Sequence, residues 1–321
     1  MTTAALMVQT ILRRVLLAEV LMYTALVYAL ASGDTGGWTI AGLVVSLAFL
    51  WRLYLTLVSL VVTRLSGRYT RARPVNCRAA IKAVCREFIA RLICFSWSQT
   101  FPQLAMGKDP CDSHQGAPIL LVHGHFSNRG IWVRFRQRIA AAGLGPIYTI
   151  SLTPYFGDLD EFAAQLATRI DLICAETRAA QVTLIGHSMG GMVCRRYMTL
   201  HSPARIAKLV TLGTPHHGSH FARWLFGKNA LQLRIGSDWL GRLARAEVPT
   251  QPPPTLSLYS LVDDIIDPPD SSVLAWARNV PVTAVGHVGL VFSEVVANEV
   301  IQFLLQADRH VTSSTPTIIQ T

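Results

Sequence analysis

The sequence predicts an α/β fold: a mostly parallel sheet flanked by helices, with a small helical cap, preceded by two transmembrane helices. Three observations lead there. From residue 117 onward, short runs rich in Val, Ile and Leu alternate with longer helical stretches, the pattern of a parallel sheet buried on both faces. A glycine-rich turn, Gly186-His187-Ser188-Met189-Gly190-Gly191, stands at one strand-to-helix junction. The first 63 residues hold two long apolar runs.

The apolar runs come first in the chain. Of the 321 residues 51% are hydrophobic and only 15% are charged, against roughly 25% charged in an average soluble chain. The imbalance is local. Val15 to Ala31 contains one charge, Glu19, and Trp38 to Thr63 contains one, Arg52. A bilayer core takes roughly 20 apolar residues in helix. Residues 1–63 are therefore expected to form a membrane hairpin with spans at about 15–31 and 38–63, joined by the turn-rich SGDTGG stretch from Ser32. A signal peptide would account for the first run but not for a second directly behind it. Buried core helices are the other alternative, but neither run has a polar face to show to water. Counted inward from the turn, Glu19 and Arg52 fall at similar depth in an antiparallel hairpin. They are expected to pair, the alternative being independent snorkelling.

Residues 64–116 form a basic juxtamembrane segment. Between Arg64 and Arg91 stand eight Lys or Arg residues against one acid, Glu87, which accounts for most of the chain's net charge of +10. Directly behind a span, such a block points to anionic lipid headgroups rather than to nucleic acid and marks the cytoplasmic side. Arg13 and Arg14 precede the first span and the connecting loop has only Asp34. Both ends of the hairpin, and the domain that follows, are thus expected at the cytoplasmic face of an inner membrane, with residues 1–95 in contact with lipid. From Cys77 to Phe95, Ile81, Val84, Cys85, Phe88, Leu92 and Phe95 recur at helical spacing among basic residues. This reads either as an amphipathic helix on the membrane surface or as a helix packed on the following domain.

Within residues 117–306, strands are expected at Ile119–Val122, Tyr148–Leu152, Val182–Ile185, Lys208–Leu212, Thr255–Tyr259 and Val282–Val285. Helices are expected at Arg129–Ala142, Asp160–Ala179, Met189–His201 and Leu290–Leu305. The polar tail 307–321 is expected to be loose.

The chemistry centres on Ser188. The run VTLI before it and GMVCRRYMTL after it supply the strand–turn–helix setting of a nucleophile elbow. A serine hydroxyl needs a base to take its proton and an acid to orient that base. Downstream, one strand runs into SLVDDIIDPP, with Asp263 and, as the alternative acid, Asp264; another runs into Gly286-His287. The candidate catalytic set is Ser188, Asp263 and His287. Two backbone N–H groups are needed for an oxyanion hole. Met189, immediately after the nucleophile, and His125, in the His123-Gly124-His125-Phe126 loop after the first strand, are the candidates. The histidines show no three-ligand metal spacing. No acidic cluster for calcium stands out, and no cofactor is expected.

With these motifs in hand, residues 117 to 305 resemble the bacterial triacylglycerol lipase/esterase branch of the α/β-hydrolase superfamily. LLVHGHFSNRGIW, LIGHSMGG, TLGTPHHGS, YSLVDDIIDPP and GHVGL carry the resemblance. It implies ester hydrolysis without a cofactor, on lipid or acyl esters, with an acyl pocket under a cap at about 216–254. The family pattern after the acid fits Asp263 better than Asp264. The resemblance does not extend to residues 1–110. The six cysteines, Cys77, Cys85, Cys94, Cys111, Cys174 and Cys194, read as reduced small hydrophobes. An acyltransferase using the same residues, or a non-catalytic membrane scaffold, are the alternative functions. The complete set of Ser188, Asp263 and His287 favours catalysis.

Overall fold

A computed structural model describes residues 7–31, 35–66, 77–110, 116–201, 203–247 and 252–306. The tail 307–321, Cys111, and Arg68, Arg71 and Arg73 of the basic block lie outside the described residues. Six strands, β1 (Ile119–Val122), β2 (Ile147–Ile150), β3 (Val182–His187), β4 (Ile206–Leu212), β5 (Thr255–Ser260) and β6 (Arg278–Val282), form one sheet in the order β2-β1-β3-β4-β5-β6. Every pairing is parallel.

The side chains of β1 alternate between two cores. Ile119 and Leu121 join a cluster with Phe135 and Ile139 of α5 (Val133–Ala141) and with Val296, Val300 and Phe303 of α10 (Glu294–Leu305). Leu120 and Val122 join a second cluster, with Leu166 and Ile170 of α6 (Leu159–Thr177) and Met192 and Val193 of α7 (Met189–Leu200). With both faces covered, the strands carry no polar face, which is why they read as continuous apolar runs. Between β4 and β5 lie the short α8 (Lys228–Gln232) and α9 (Asp238–Ala246). The α9 helix packs into the second core through Trp239, Leu240 and Leu243, and Trp239 Nε1 donates to Asp160 Oδ1 at 2.8 Å.

Three expected elements differ. The helix expected from Leu290 starts at Glu294, after a 3-10 turn over Val288–Val291. The last strand is Arg278–Val282, not Val282–Val285. Ala284 has φ of 54°, which no strand residue adopts, so the apolar VTAV run continues past the strand as a buried loop. The expected helix at Arg129 begins with a 3-10 turn, Arg129–Trp132, before α5.

The N-terminal region packs onto this domain. Helices α1 (Met7–Leu30) and α2 (Gly37–Ser66) lie against each other, and Arg52 Nη2 sits 2.8 Å from Glu19 Oε2. Among the described residues one helix, over Gly37–Ser59, is long and apolar enough to cross a membrane. Of the two expected spans only this one meets that measure; α1 carries Arg13, Arg14 and Glu19 along its length. Its first turns serve another purpose. Val8 and Leu12 are buried against Tyr155, Phe95 and Phe126, and Arg13 Nε donates to Thr100 O at 3.0 Å. Helix α3 (Cys77–Ile93), a π-helical turn (Cys94–Ser98) and α4 (Pro102–Met106) complete the region. The face of α3 that packs inward carries Ala83, Glu87, Phe88 and Ala90, while Ile81 and Ile89 remain exposed.

Candidate active site

Strands β1 and β3 are neighbours although β2 lies between them in the chain, so the sheet grows in opposite directions from this pair. The loops leaving the carboxyl ends of such a pair diverge and leave a crevice. Ser188 stands at the end of β3 and the His123–Phe126 loop at the end of β1. Ser188 has φ 55° and ψ −126°, a backbone state that costs about 1–3 kcal/mol for a residue with a side chain. The crowding around it explains two of its glycines. A Cβ on Gly190 would lie 2.1 Å from Val122 O, and one on Gly186 would lie 2.5 Å from Gly191 N. Ser188 N donates to Leu212 O at 2.8 Å, stitching the turn to β4.

Asp263 follows β5 and His287 follows β6. His287 Nδ1 lies 2.9 Å from Asp263 Oδ2. The other oxygen of Asp263 accepts from the N–H groups of Ile265 at 2.9 Å and Ile266 at 2.7 Å. Both oxygens thus meet donors, which fixes the orientation of the carboxylate. Burial is the largest influence on His287 and pushes its pKa down. The charge and hydrogen bond of Asp263, followed by the charges of Asp264 and Glu87, outweigh it and raise the pKa above the ordinary histidine value. His187 lies beside it, ring centroids 4.7 Å apart. Burial, then the charge of His287, push the His187 pKa well down. Its neutral ring donates from Nε2 to His287 O at 3.1 Å.

Asp264 has different partners. Its Oδ2 accepts from Ser59 Oγ of α2 at 2.7 Å and pairs with Arg91 of α3. Its Oδ1 accepts from the backbone N–H of His287 at 3.3 Å. Among the described contacts, the alternative acid meets the histidine's main chain, not its ring.

The His123–Phe126 loop is braced from two sides. Leu152 N donates to His123 Nε2 at 2.9 Å, so the ring proton sits on Nδ1, which donates to Gly124 O at 2.8 Å. Burial lowers the His123 pKa to about 4 and holds that neutral form. Behind the loop, Gln99 Oε1 accepts from Ser127 Oγ and from Asn128 N, both at 2.8 Å. His125 is half-buried, and its imidazole pKa is lowered by desolvation to about 4. Met189 opens α7, where the first-turn N–H groups have no helical acceptor.

Ser188, His287 and His125 line one cavity of about 260 Å³. Its walls are mostly apolar and include Phe95, Phe221, Leu225, Leu233 and Ile266, with Ser59 and Arg91 at one side. His216 of the TPHHG stretch is buried away from it, against Arg195 and Thr211. Among the described residues no group of His, Cys, Asp or Glu is placed to hold a metal ion. Sequence reading missed Ser59, Glu87, Arg91 and Gln99 as neighbours of the site. The one signal was Glu87 as the lone acid in a basic run.

Known proteins bear on this geometry. Residues 158–247 match the family described as PGAP1-like alpha/beta domain. A triacylglycerol lipase of Pseudarthrobacter phenanthrenivorans is 34% identical over 113 residues, 33% of this chain and 35% of the relative. One from Burkholderia plantarii is 34% identical over 113 residues, covering 33% of this chain and 31% of its own length. The chain thus spans about a third of the curated relatives it matches. Among solved structures, a Bacillus licheniformis lipase in mature form aligns with TM-score 0.52 at 19% identity, covering 62% of this chain and 95% of that one. The fold is that of the α/β-hydrolases, and the sequence similarity is to the lipase/esterase branch.

Proposed function

We propose that the protein hydrolyses carboxylic esters, of lipid or acyl type, at a membrane and through an acyl-enzyme on Ser188. The observation that carries this reading is the positive-φ serine between strand and helix, facing the same cavity as a histidine whose Nδ1 is held by a buried carboxylate. His287 Nε2 takes the Ser188 proton as Oγ attacks the ester carbonyl. Asp263 keeps the ring oriented and stabilises the imidazolium that forms. The N–H groups of His125 and Met189 donate to the developing oxyanion. His287 then returns the proton to the leaving alcohol, and water releases the acid in a second, equivalent round. The apolar walls suit an acyl chain, Phe221, Leu225 and Leu233 of the expected cap form part of them, and the named lipase relatives support the same class of substrate.

Helices α1 and α2 act as the membrane hairpin, α1 as its first span and α2 as its second. Exposed apolar residues on both helices support this, among them Leu21, Leu26 and Leu30 on α1 and Val45, Leu50 and Leu55 on α2. The distribution of Lys and Arg favours an inner membrane with the catalytic domain on the cytoplasmic side.

The test is Ser188→Ala in the full chain solubilised in detergent. Turnover of p-nitrophenyl esters of graded chain length should fall by at least about 10³-fold, and labelling by a fluorophosphonate probe should disappear with thermal stability retained. Full labelling of the variant overturns the assignment of the nucleophile.

A further inference from the structure

We propose that Glu87 and Arg91 of α3 are positioning residues for His287, so that the N-terminal helices form part of the active site rather than only tethering it. The inference rests on the reading of His287 as the base.

The loop that carries His287 is held through its main chain. Three consecutive backbone N–H groups, those of His287, Val288 and Gly289, meet two buried carboxylates. His287 N donates to Asp264 Oδ1 at 3.3 Å, Val288 N to Glu87 Oε1 at 3.1 Å, and Gly289 N to Glu87 Oε2 at 2.7 Å. Glu87 thereby caps the 3-10 turn Val288–Val291, whose first N–H groups lack partners within the turn. The fit is close. A Cβ on Gly286 would lie 2.5 Å from Glu87 Oε2.

Two carboxylates cannot share a buried site without a counter-charge. Arg91 supplies it. Its Nε donates to Glu87 Oε1 at 2.8 Å, its Nη1 to Ser59 Oγ at 2.8 Å, and its Nη2 pairs with Asp264. The planar guanidinium therefore ties α3, α2 and the loop after β5 together, with both acids on it at fixed angles. Ser59 stands at the end of the stretch of α2 that is long and apolar enough to cross a membrane. A shift of α2 relative to the domain would be transmitted through Ser59 and Arg91 to Asp264.

The charged and titratable groups facing His287 are Asp263, Asp264 and Glu87, with His187 against the ring and Arg91 behind the two outer acids. Burial, then the charge of Asp264, raise the Glu87 pKa, and Arg91 and the Gly289 N–H oppose the rise. Glu87 accepts from Arg91 Nε, Val288 N and Gly289 N, which suits the carboxylate. Its negative charge in turn favours the imidazolium of His287. Removing that charge lowers the His287 pKa, so the base form persists to lower pH.

The experiment uses the full chain in detergent with Glu87→Gln and Arg91→Lys. The Gln side chain turns an N–H donor toward Val288 or Gly289. Arg91→Lys keeps the charge but loses the fork, and it decides the matter if Glu87→Gln unfolds. Expected for Glu87→Gln is a kcat loss of about 10²-fold with little change in KM. The acidic limb of the kcat/KM profile should move to lower pH, and backbone hydrogen exchange across residues 286–290 should be faster while the sheet stays protected. Arg91→Lys should show a smaller kcat loss and the same faster exchange. Wild-type kcat, pH limb and exchange in a folded variant overturn the proposal. The exchange readout does not depend on turnover. A wild-type chain that cleaves no ester therefore sinks the reading of function, while positioning stands or falls on exchange at residues 286–290.

Discussion

The two sides of the cavity are built in different ways. On one side, Ser188, Asp263 and His287 sit on loops that leave the carboxyl ends of parallel strands, each within five residues of its strand. On the other, Ser59, Arg91, Phe95 and Gln99 come from helices that have no place in the sheet. The first side takes its positions from the strand ladder, with the His287 loop also held by Glu87 of α3. The second is joined to the first through buried polar contacts that span large sequence separations, such as Glu87 to Gly289 and Gln99 to Asn128. Buried polar groups left without partners cost more than an ordinary hydrogen bond contributes. The helical side therefore cannot move away without leaving carboxylates and amides unsatisfied, so the two sides form one packed unit.

The largest break in this comparison is expected on the sheet side. Asp263→Asn should lower kcat by about 10³–10⁴-fold, because the histidine tautomer is no longer fixed. The acidic limb of its rate profile should also fall, since Asp263 is the strongest influence raising the His287 pKa. Wild-type enzyme should lose activity as the pH drops through a value above the ordinary histidine pKa of about 6.5, because only the neutral ring accepts a proton. Asp264→Asn acts across the divide. It weakens the pairing of Arg91, so its mark should be a lowered unfolding temperature with a smaller loss of kcat. The reverse ranking of the two variants would exchange their assignments.

How much of each side could be read from the sequence follows from how each is made. GHSMGG, SLVDD and GH after an apolar run are local patterns, and their geometry follows from strand, turn and glycine. Strand positions were recoverable for the same reason, except at VTAV, where apolar residues fill a loop instead of extending β6. Glu87 was visible only as a count in a basic run. Nothing within several residues of it shows that its partners are two amides some 200 positions away. The apolar set of α3 was misjudged in part, since Ile81 and Cys85 face outward while Glu87 faces in. A buried carboxylate breaks helical periodicity because its energy comes from donors on another segment, not from its own hydropathy.

A smaller effect is expected at Gln99. It is fully buried and its Oε1 holds Ser127 and Asn128, next to the loop that carries the His125 N–H. Gln99→Leu keeps most of the volume and removes the acceptor. Two donors would be stranded, at about 1–3 kcal/mol each, and the loop should relax. We expect a lowered unfolding temperature and a kcat loss of about tenfold, well under the 10²–10³ that removing an oxyanion donor costs. A variant with full kcat and full stability would show that the loop is held from the sheet side alone.

The smallest effect concerns the far end of the helical side, where Glu19 and Arg52 meet. The pair is largely shielded, with side-chain exposures of 12% and 15%, and lies between two apolar helices. Arg52 does more than pair: its Nε donates to Ser96 Oγ at 2.7 Å in the π-helical turn, and its Nη1 to Ala48 O at 3.2 Å. Arg52→Gln should therefore destabilise the chain in detergent more than Glu19→Gln, since it also loosens the turn that leads to Gln99. Each single variant leaves the partner's charge unpaired, so single substitutions cannot isolate the ion pair. The double variant can. A coupling energy of about 1–2 kcal/mol is expected, within the range for residues in direct contact. Additive losses would mean that each side chain is stabilised independently and that the hairpin is held by apolar packing alone. Retained kcat in Glu19→Gln together with reduced kcat in Arg52→Gln would trace the connection from the hairpin, through Ser96, to the helical wall of the cavity.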